Sequence, residues 1–206
     1  DPKEKALVRK SQQGDIGAFE QLIGDYQKKV FNIALGMMNN HDDASDIAQE
    51  VFIKVFKSIG SFKQQSSFST WIYRITVHTC LDELRKRKNR KNVISLNQAV
   101  QLEDSEITIQ IEDNGPTPES VAERNEVKTM VREAISQLPD DFKMAIVLRD
   151  IQGFSYEDIA RIIKCPEGTV KSRINRARTM LKDILKGKME LWDKNYVKYY
   201  GEEGWR

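Results

Sequence analysis

The sequence predicts an all-α protein: two small helical domains joined by a flexible acidic linker, the C-terminal one built around a helix-turn-helix. Three observations carry this reading. Apolar residues recur at spacings of three and four on both sides of the chain's middle, and strand-like alternation is scarce. Periodicity fades between about Asn92 and Ser120, where Gly115-Pro116-Thr117-Pro118 cannot sit inside a helix. Near the end, a turn containing Gly168 separates a short apolar-faced helix from one with a basic outer face.

In chain order, Phe19, Leu22, Ile23, Tyr26, Val30, Ile33, Ala34 and Met37 share one helical face. Asp15 is placed to cap that helix, because its carboxylate can accept from a free amide of the first turn. Asn39-Asn40-His41-Asp42 breaks the pattern. A second helix follows, with Ala44, Ile47, Ala48, Val51, Phe52, Val55, Phe56 and Ile59 tracing one apolar face up to Gly60. After a polar loop from Ser61 to Ser67, Phe68, Trp71, Ile72, Ile75 and Thr79 mark a third, which runs into the basic stretch Arg85 to Lys91.

The expected organisation is an N-terminal domain over 1–91, a linker over 92–120, a C-terminal domain over 121–187 and an extension over 188–206. The linker holds Glu103, Asp104, Glu106, Glu112, Asp113 and Glu119, with no Lys or Arg between Lys91 and Arg124. Ile107, Ile109 and Ile111 alternate, so a short strand or an extended docked segment stays open there. Val127, Val131, Ala134, Ile135 and Leu138 predict a helix ending at Pro139, and Phe142, Ala145, Ile146 and Ile151 one ending at Gly153. Ser155 with Asp158 resembles a capping box opening a third, with Ile159, Ala160 and Ile163 inward.

The last helix, beginning near Thr169, turns Val170, Ile174, Ala177, Leu181 and Ile184 inward. Thr169, Lys171, Ser172, Arg173, Asn175, Arg176 and Arg178 fall at its N-terminus or on its outer faces. Arg can donate two parallel hydrogen bonds to guanine in the major groove, and Asn can pair with adenine. Ser155, Ser172, Lys171 and the helix N-terminus suit phosphates. A solvated basic face on an ordinary bundle is the competing account. The position of the charge, on the second helix directly after the turn, favours duplex DNA.

Bulk composition narrows the classes. The chain has 206 residues, 31% charged, with a net charge of only +2, so nucleic-acid binding must come from local clusters of charge. Cys80 and Cys165 form no C-x-x-C pair and read as buried or half-buried thiols in a reducing cytoplasm. No apolar run approaches the ~20 residues that span a bilayer. Asp1-Pro2-Lys3-Glu4-Lys5 is charged with no signal-peptide core after it, so cytoplasmic residence is expected. His41 and His78 stand in no metal-ligand or nucleophile-base pattern and no phosphate-binding Gly-rich loop is present, so neither catalysis, metal nor cofactor is expected.

Four stretches carry a family resemblance. Pro166-Glu167-Gly168-Thr169-Val170-Lys171-Ser172-Arg173 resembles the second helix-turn-helix of the extracytoplasmic-function (ECF) group of sigma-70 family factors. Leu138-Pro139 with Phe154-Ser155-Tyr156-Glu157-Asp158-Ile159-Ala160 resembles region 4. Asp46-Ile47-Ala48-Gln49-Glu50-Val51-Phe52 is similar to region 2.2, and Phe68-Ser69-Thr70-Trp71-Ile72-Tyr73-Arg74-Ile75 to regions 2.3 and 2.4. The match spans about Gln12 to Lys186, and four motifs in order make it specific.

The resemblance implies an initiation factor without catalytic activity. It would bind RNA polymerase core, read a −35 element with its C-terminal domain, and read and melt a −10 element with its N-terminal domain. The ridge of Asp46, Gln49, Glu50, Ile53 and Lys54 would meet the clamp helices of the largest polymerase subunit, and the flap is a further implied contact. The −10 contacts would come from Phe62, Lys63, Ser67, Thr70, Trp71, Tyr73, Arg74 and His78, with Arg85, Arg87 and Lys88 on phosphates. Helical phase puts Trp71 mainly in the core and gives Tyr73, Arg74 and His78 the better access to nucleic acid. The Ser61–Ser67 loop would supply the pocket for a flipped base. Family members commonly carry Asn where this chain has His78, which leaves the −10 sequence open. Regulation by an anti-sigma factor is implied, with no small-molecule substrate and no membrane insertion.

The tail lies beyond the resemblance. Leu191, Trp192, Tyr196, Tyr199 and Tyr200 fall near helical spacing and Trp205 follows, which suits an extra helix on the domain's own surface or a partner-binding segment. Two other classes compete. A helix-turn-helix regulator such as a response-regulator output domain would need an alternating receiver domain in front, where this chain is helical. An enzyme would need a catalytic pattern.

Overall fold

A computed structural model describes the backbone of residues 2–95 and 118–200 and the side chains of residues 2–90 and 127–187. Within them the chain is helical, with no strand among the described residues. The acidic linker from Glu103 to Asp113, its alternating isoleucines and Trp205 lie outside the described residues, as do the tail's other aromatic side chains.

The N-terminal bundle holds α1 (Pro2–Gln12), α2 (Ile16–Gly24), α3 (Gln27–Met38), α4 (His41–Ser58) and α5 (Phe68–Ser95). Asp15 caps α2, accepting from the Ala18 amide at 2.9 Å. The single helix expected across Phe19 to Met37 is two, broken at Asp25-Tyr26. Phe19, Leu22, Tyr26 and Val30 all reach the same core, so the apolar repeat runs through a turn that contains no Pro. Asn39 ends α3 in the left-handed region (φ 54°), and Asn40 caps α4 by accepting from the Asp43 amide at 3.0 Å. Asp42 and Asp43 then sit at the positive end of the α4 dipole. A 3-10 turn, Ile59–Ser61, tightens the end of α4 before the loop. The face expected of α4 is narrower than its spacing suggests. Ala44, Ile47, Ala48, Val51 and Val55 are buried, whereas Phe56 is 47% exposed and only its edge meets Phe19.

The C-terminal unit holds α6 (Pro118–Ser136), α7 (Asp140–Ile146), α8 (Tyr156–Ile163) and α9 (Glu167–Tyr200). Pro118 opens α6, where its missing amide proton is no loss. The helix from Phe142 to Ile151 widens into a π turn over Val147–Ile151 before Gly153, whose φ of 73° suits glycine. Ser155 caps α8 by accepting from the Asp158 amide at 3.0 Å, and it donates its hydroxyl to the Asp158 carboxylate at 2.6 Å rather than the carboxylate turning back to the Ser155 amide as in a capping box. Val170, Ile174 and Ala177 seat α9 in the core, with Leu181 and Ile184 half-buried. The helix runs unbroken to Tyr200, so the tail continues α9 rather than folding back as a separate helix.

The two units pack on each other. The π turn lies on α3, and α8 and α7 lie on α5. Their buried side chains join in one apolar core. Gly36 makes this approach possible: a Cβ there would lie 2.8 Å from Cγ1 of Val147, so only glycine lets the π turn seat on α3 without a shift.

Candidate nucleic-acid and polymerase interfaces

Three surfaces carry the residues singled out by the sequence. On α9, Lys171, Ser172, Asn175 and Arg176 are exposed, as their helical phase requires. Lys171 pairs with Glu167 at 2.8 Å, and that hydrogen bond raises the lysine's hold on its proton. Ser172 turns its hydroxyl to the Thr169 carbonyl at 2.9 Å, and Thr169 itself is half-buried. Two expected readers are engaged within the domain. Arg178 forms a two-pronged pair with Asp150 at 2.6 and 3.0 Å, tying α9 to the π turn, and Arg173 is half-buried beside Asp141 at 3.0 Å. Asn175 and Arg176 are therefore the exposed groups best suited to base edges, and Ser155 is exposed but occupied as a cap.

On α4, Asp46, Gln49 and Ile53 are exposed, with Ile53 at 54%. Glu50 and Lys54 are half-buried and pair at 2.7 Å, while Lys54 also donates to the Thr79 hydroxyl of α5 at 3.1 Å. The ridge thus combines fixed charge with an uncovered aliphatic side chain, a combination suited to a protein partner.

The third surface departs from its expectation. Phe62 is buried and stacks on half-buried Trp71, ring centroids 4.8 Å apart, so Phe62 is a foundation of the loop rather than an exposed contact. Thr70 is buried too and shares hydrogen bonds with Ser67, whose hydroxyl accepts from the Thr70 amide at 3.1 Å and so opens α5. Lys63 and His78 are exposed as expected. Tyr73 is not: it is only 7% exposed, packed edge-on against Tyr26 and against Phe154 of the C-terminal unit. Burial, aided by the charge of Glu4, pushes its pKa up to about 12.

Arg74 is also engaged. It donates to the carbonyls of Arg161 at 2.6 Å and Ile162 at 3.3 Å, where the negative end of the α8 dipole favours a cation. In the basic run, Arg87 chelates Asp43 at 2.6 and 2.7 Å and meets Glu83 at 3.1 Å, which braces α5 against the start of α4. Lys88 reaches Asp140 of α7 at 2.8 Å, and Arg85 is exposed beside Asp82 at 3.3 Å. Several −10 candidates are therefore covered because the C-terminal unit sits on α5. Facing α9 across that junction is a cleft of about 490 Å³, lined by Leu81, Arg85, Pro139, Phe142, Arg173 and Arg176 among others.

The sequence pattern did not single out Lys29 or Gln12, and it named Phe154 only as part of the region 4 motif, not as a contact across the units. Lys29 lies 4.3 Å from the centre of the Phe154 ring, a cation–π contact across the two units. Gln12 donates to the carbonyls of Ile59 and Phe62. The signal for α1 was Leu7, Val8 and Ser11 on one face, too short a repeat to stand out.

Residues 22–90 match the Sigma-70 region 2 family model and residues 128–181 the Sigma-70 region 4 model. The chain is 42% identical over 183 residues to the ECF RNA polymerase sigma-E factor of Haemophilus influenzae, covering 87% of this chain and 94% of that protein. It belongs to the ECF sigma factors of the sigma-70 family.

Other relatives agree. The RNA polymerase sigma-H factor of Pseudomonas aeruginosa is 37% identical over 185 residues, covering 89% of this chain and 94% of that protein. The sigma factor RpoE of Bartonella quintana, solved with the anti-sigma factor NepR, superposes with a TM-score of 0.62 at 28% identity, covering 82% of this chain and 96% of that one. CnrH, solved with the cytosolic domain of CnrY, shares the fold at a TM-score of 0.63 and 20% identity, covering 90% of this chain and 98% of that one. This sigma factor is thus a transcription initiation factor rather than an enzyme. The region 2 match at its front is what a response-regulator output domain lacks. Among the described residues no helix is long and apolar enough to cross a membrane.

Proposed function

We propose that this sigma factor divides its work along the sequence: residues 1–91 bind polymerase core and open the −10 element, 92–120 tether, and 121–187 read the −35 element. The α4 ridge of Asp46, Gln49, Glu50, Ile53 and Lys54 docks on the clamp helices of the largest polymerase subunit. The loop and the α5 surface receive the opened −10 strand. On α9, Asn175 and Arg176 read bases, while Lys171 and Ser172 hold phosphates. The protein works in the cytoplasm, in response to envelope or other stress, and an anti-sigma factor keeps it inactive until that signal. The RpoE structure solved with the anti-sigma factor NepR supports the anti-sigma partner.

The observation that carries the reading is the exposure of Asn175 and Arg176 on α9 together with that of Asp46, Gln49 and Ile53 on α4. Run-off transcription tests it. Core polymerase with this protein alone should start RNA at mapped sites, and failure with several core enzymes and promoters would sink the reading. Glu50→Ala and Gln49→Ala should weaken core binding with thermal unfolding unchanged. Arg176→Ala should lose about 1–3 kcal/mol of discrimination at one −35 position. A uniform loss across sequences would assign Arg176 to phosphate instead.

A further inference from the structure

We propose that Gln12 is a positioning residue for −10 recognition: from the end of α1 it fixes the shape of the loop that receives the extruded base. This rests on the reading that residues 61–67 form that base pocket. The side-chain amide of Gln12 donates to two backbone carbonyls, Ile59 at 3.0 Å and Phe62 at 2.9 Å, 47 and 50 residues away in sequence. The two acceptors bracket the 3-10 turn that follows α4: the Ile59 carbonyl also accepts from the Phe62 amide at 3.0 Å, and Phe62 is the first extended residue after the turn. One neutral side chain with two amide protons reaches both. It thereby spans the 3-10 turn and sets the direction in which the chain leaves α4.

The rest of the loop shows why that direction matters. Phe62 stacks on Trp71, and Ser67 opens α5 through its hydrogen bond with the Thr70 amide, so both ends of the loop are pinned. Between those pins lie Lys63, Gln64, Gln65 and Ser66, with Gln64 at a φ of 54°. The first three are exposed and Ser66 is partly so. A four-residue span between two fixed anchors has little freedom, so its geometry follows the anchors. Gln12 reaches these carbonyls from outside the loop and its flanking helices. It need touch no base itself; it acts through the position of Phe62 and the residues after it.

The test compares the full-length protein with Gln12→Met, which keeps length and apolar contact but removes both donors, and Gln12→Glu, which turns lone pairs toward the two carbonyls. Each is assembled with core polymerase. Binding is measured to four single-stranded oligonucleotides carrying the non-template −10 sequence of a mapped promoter and differing only in the extruded base. Both variants should lose about fivefold or more in preference for the correct base, the scale of one net hydrogen bond. Affinity for core and for −35 duplex should stay within about twofold of the parent, since Gln12 lies on neither surface. Lys63→Ala and Gln65→Ala run alongside as loop variants. Unaltered base preference in Gln12→Met, or an equal loss on all four oligonucleotides, overturns the positioning role while altered preference in the loop variants keeps the loop reading standing. If the loop variants also leave base preference untouched, the loop reading itself falls and takes the inference with it.

Discussion

Arg87, Arg173 and Arg178 look alike in the sequence, as cations near proposed DNA surfaces, and the fold gives all three to carboxylates. Arg87 clamps Asp43, Arg173 meets Asp141 and Arg178 clamps Asp150. Which arginine faces outward is set by the acid opposite it, far away in sequence, and helical phase says nothing about that partner. Thiols show the converse, because burial follows directly from apolar phase. Cys80 is fully buried on α5, and burial pushes its pKa up to about 12 from an ordinary 9.0. The folded protein therefore holds that proton, and the Tyr73 proton, past the pH at which an unfolded chain releases them. Stability from these groups should be intact below about pH 9 and fall as the pH climbs toward 12. Urea titrations across pH 7 to 11 measure it, and a flat midpoint above pH 9 would contradict it. At pH 8 only half-buried Cys165 should react with a thiol reagent before unfolding.

Among the elements, the helices with capped ends were the most legible. Asp15 and Ser155 each accept from the amide three residues on, as their side chains suggest, and Asn40, legible in the sequence only as a break in the apolar pattern, does the same. The Ser155 cap is worth about 1 kcal/mol to α8. Ser155→Ala should lower the stability of the protein by that amount, and Ser155→Asp should restore it, both read by chemical denaturation. If the Ala variant melts like the parent, the cap contributes nothing. Less legible were the break between α2 and α3 and the π turn after α7. At the first, the apolar repeat persists because both helices face one core. At the second, the extra residue per turn is absorbed without disturbing the burial of Val147 and Leu148. A periodic pattern records which residues face inward and is blind to a local change of helical pitch.

At the scale of the molecule, the two domains and the linker between them were visible as gain and loss of periodicity, but their packing was not. Arg74 on the end of α8, Lys88 on Asp140 and Gly36 under Val147 join residues with no local relation. This packing buries Tyr73 and occupies Arg74; if these two residues meet the −10 strand as proposed, the C-terminal unit must leave α5 for DNA to engage. Gly36 and Val147 permit a direct test. The Cβ built at Gly36 lies 3.5 Å from that of Val147, within the range a disulfide bridges. Gly36→Cys with Val147→Cys, in a chain carrying Cys165→Ser, should oxidise readily and fail to transcribe, then recover on reduction. Full activity while oxidised would show that this junction stays closed during initiation. Gly36→Glu, which wedges the junction open, should raise the affinity of the free protein for single-stranded −10 DNA.

The grip of Arg74 on α8 also carries a thermodynamic consequence. A ligand that needs the open form meets it only in the fraction of molecules already parted, so its apparent dissociation constant is the intrinsic one divided by that fraction. Every 1.4 kcal/mol by which the junction favours closure weakens all such ligands tenfold alike, whatever contacts they make. The relation is reciprocal: if core polymerase favours the parted form, it must strengthen DNA binding by the same factor with which DNA strengthens core binding. A bond between one guanidinium and two carbonyls would then act as a common gain control on partners that never touch each other.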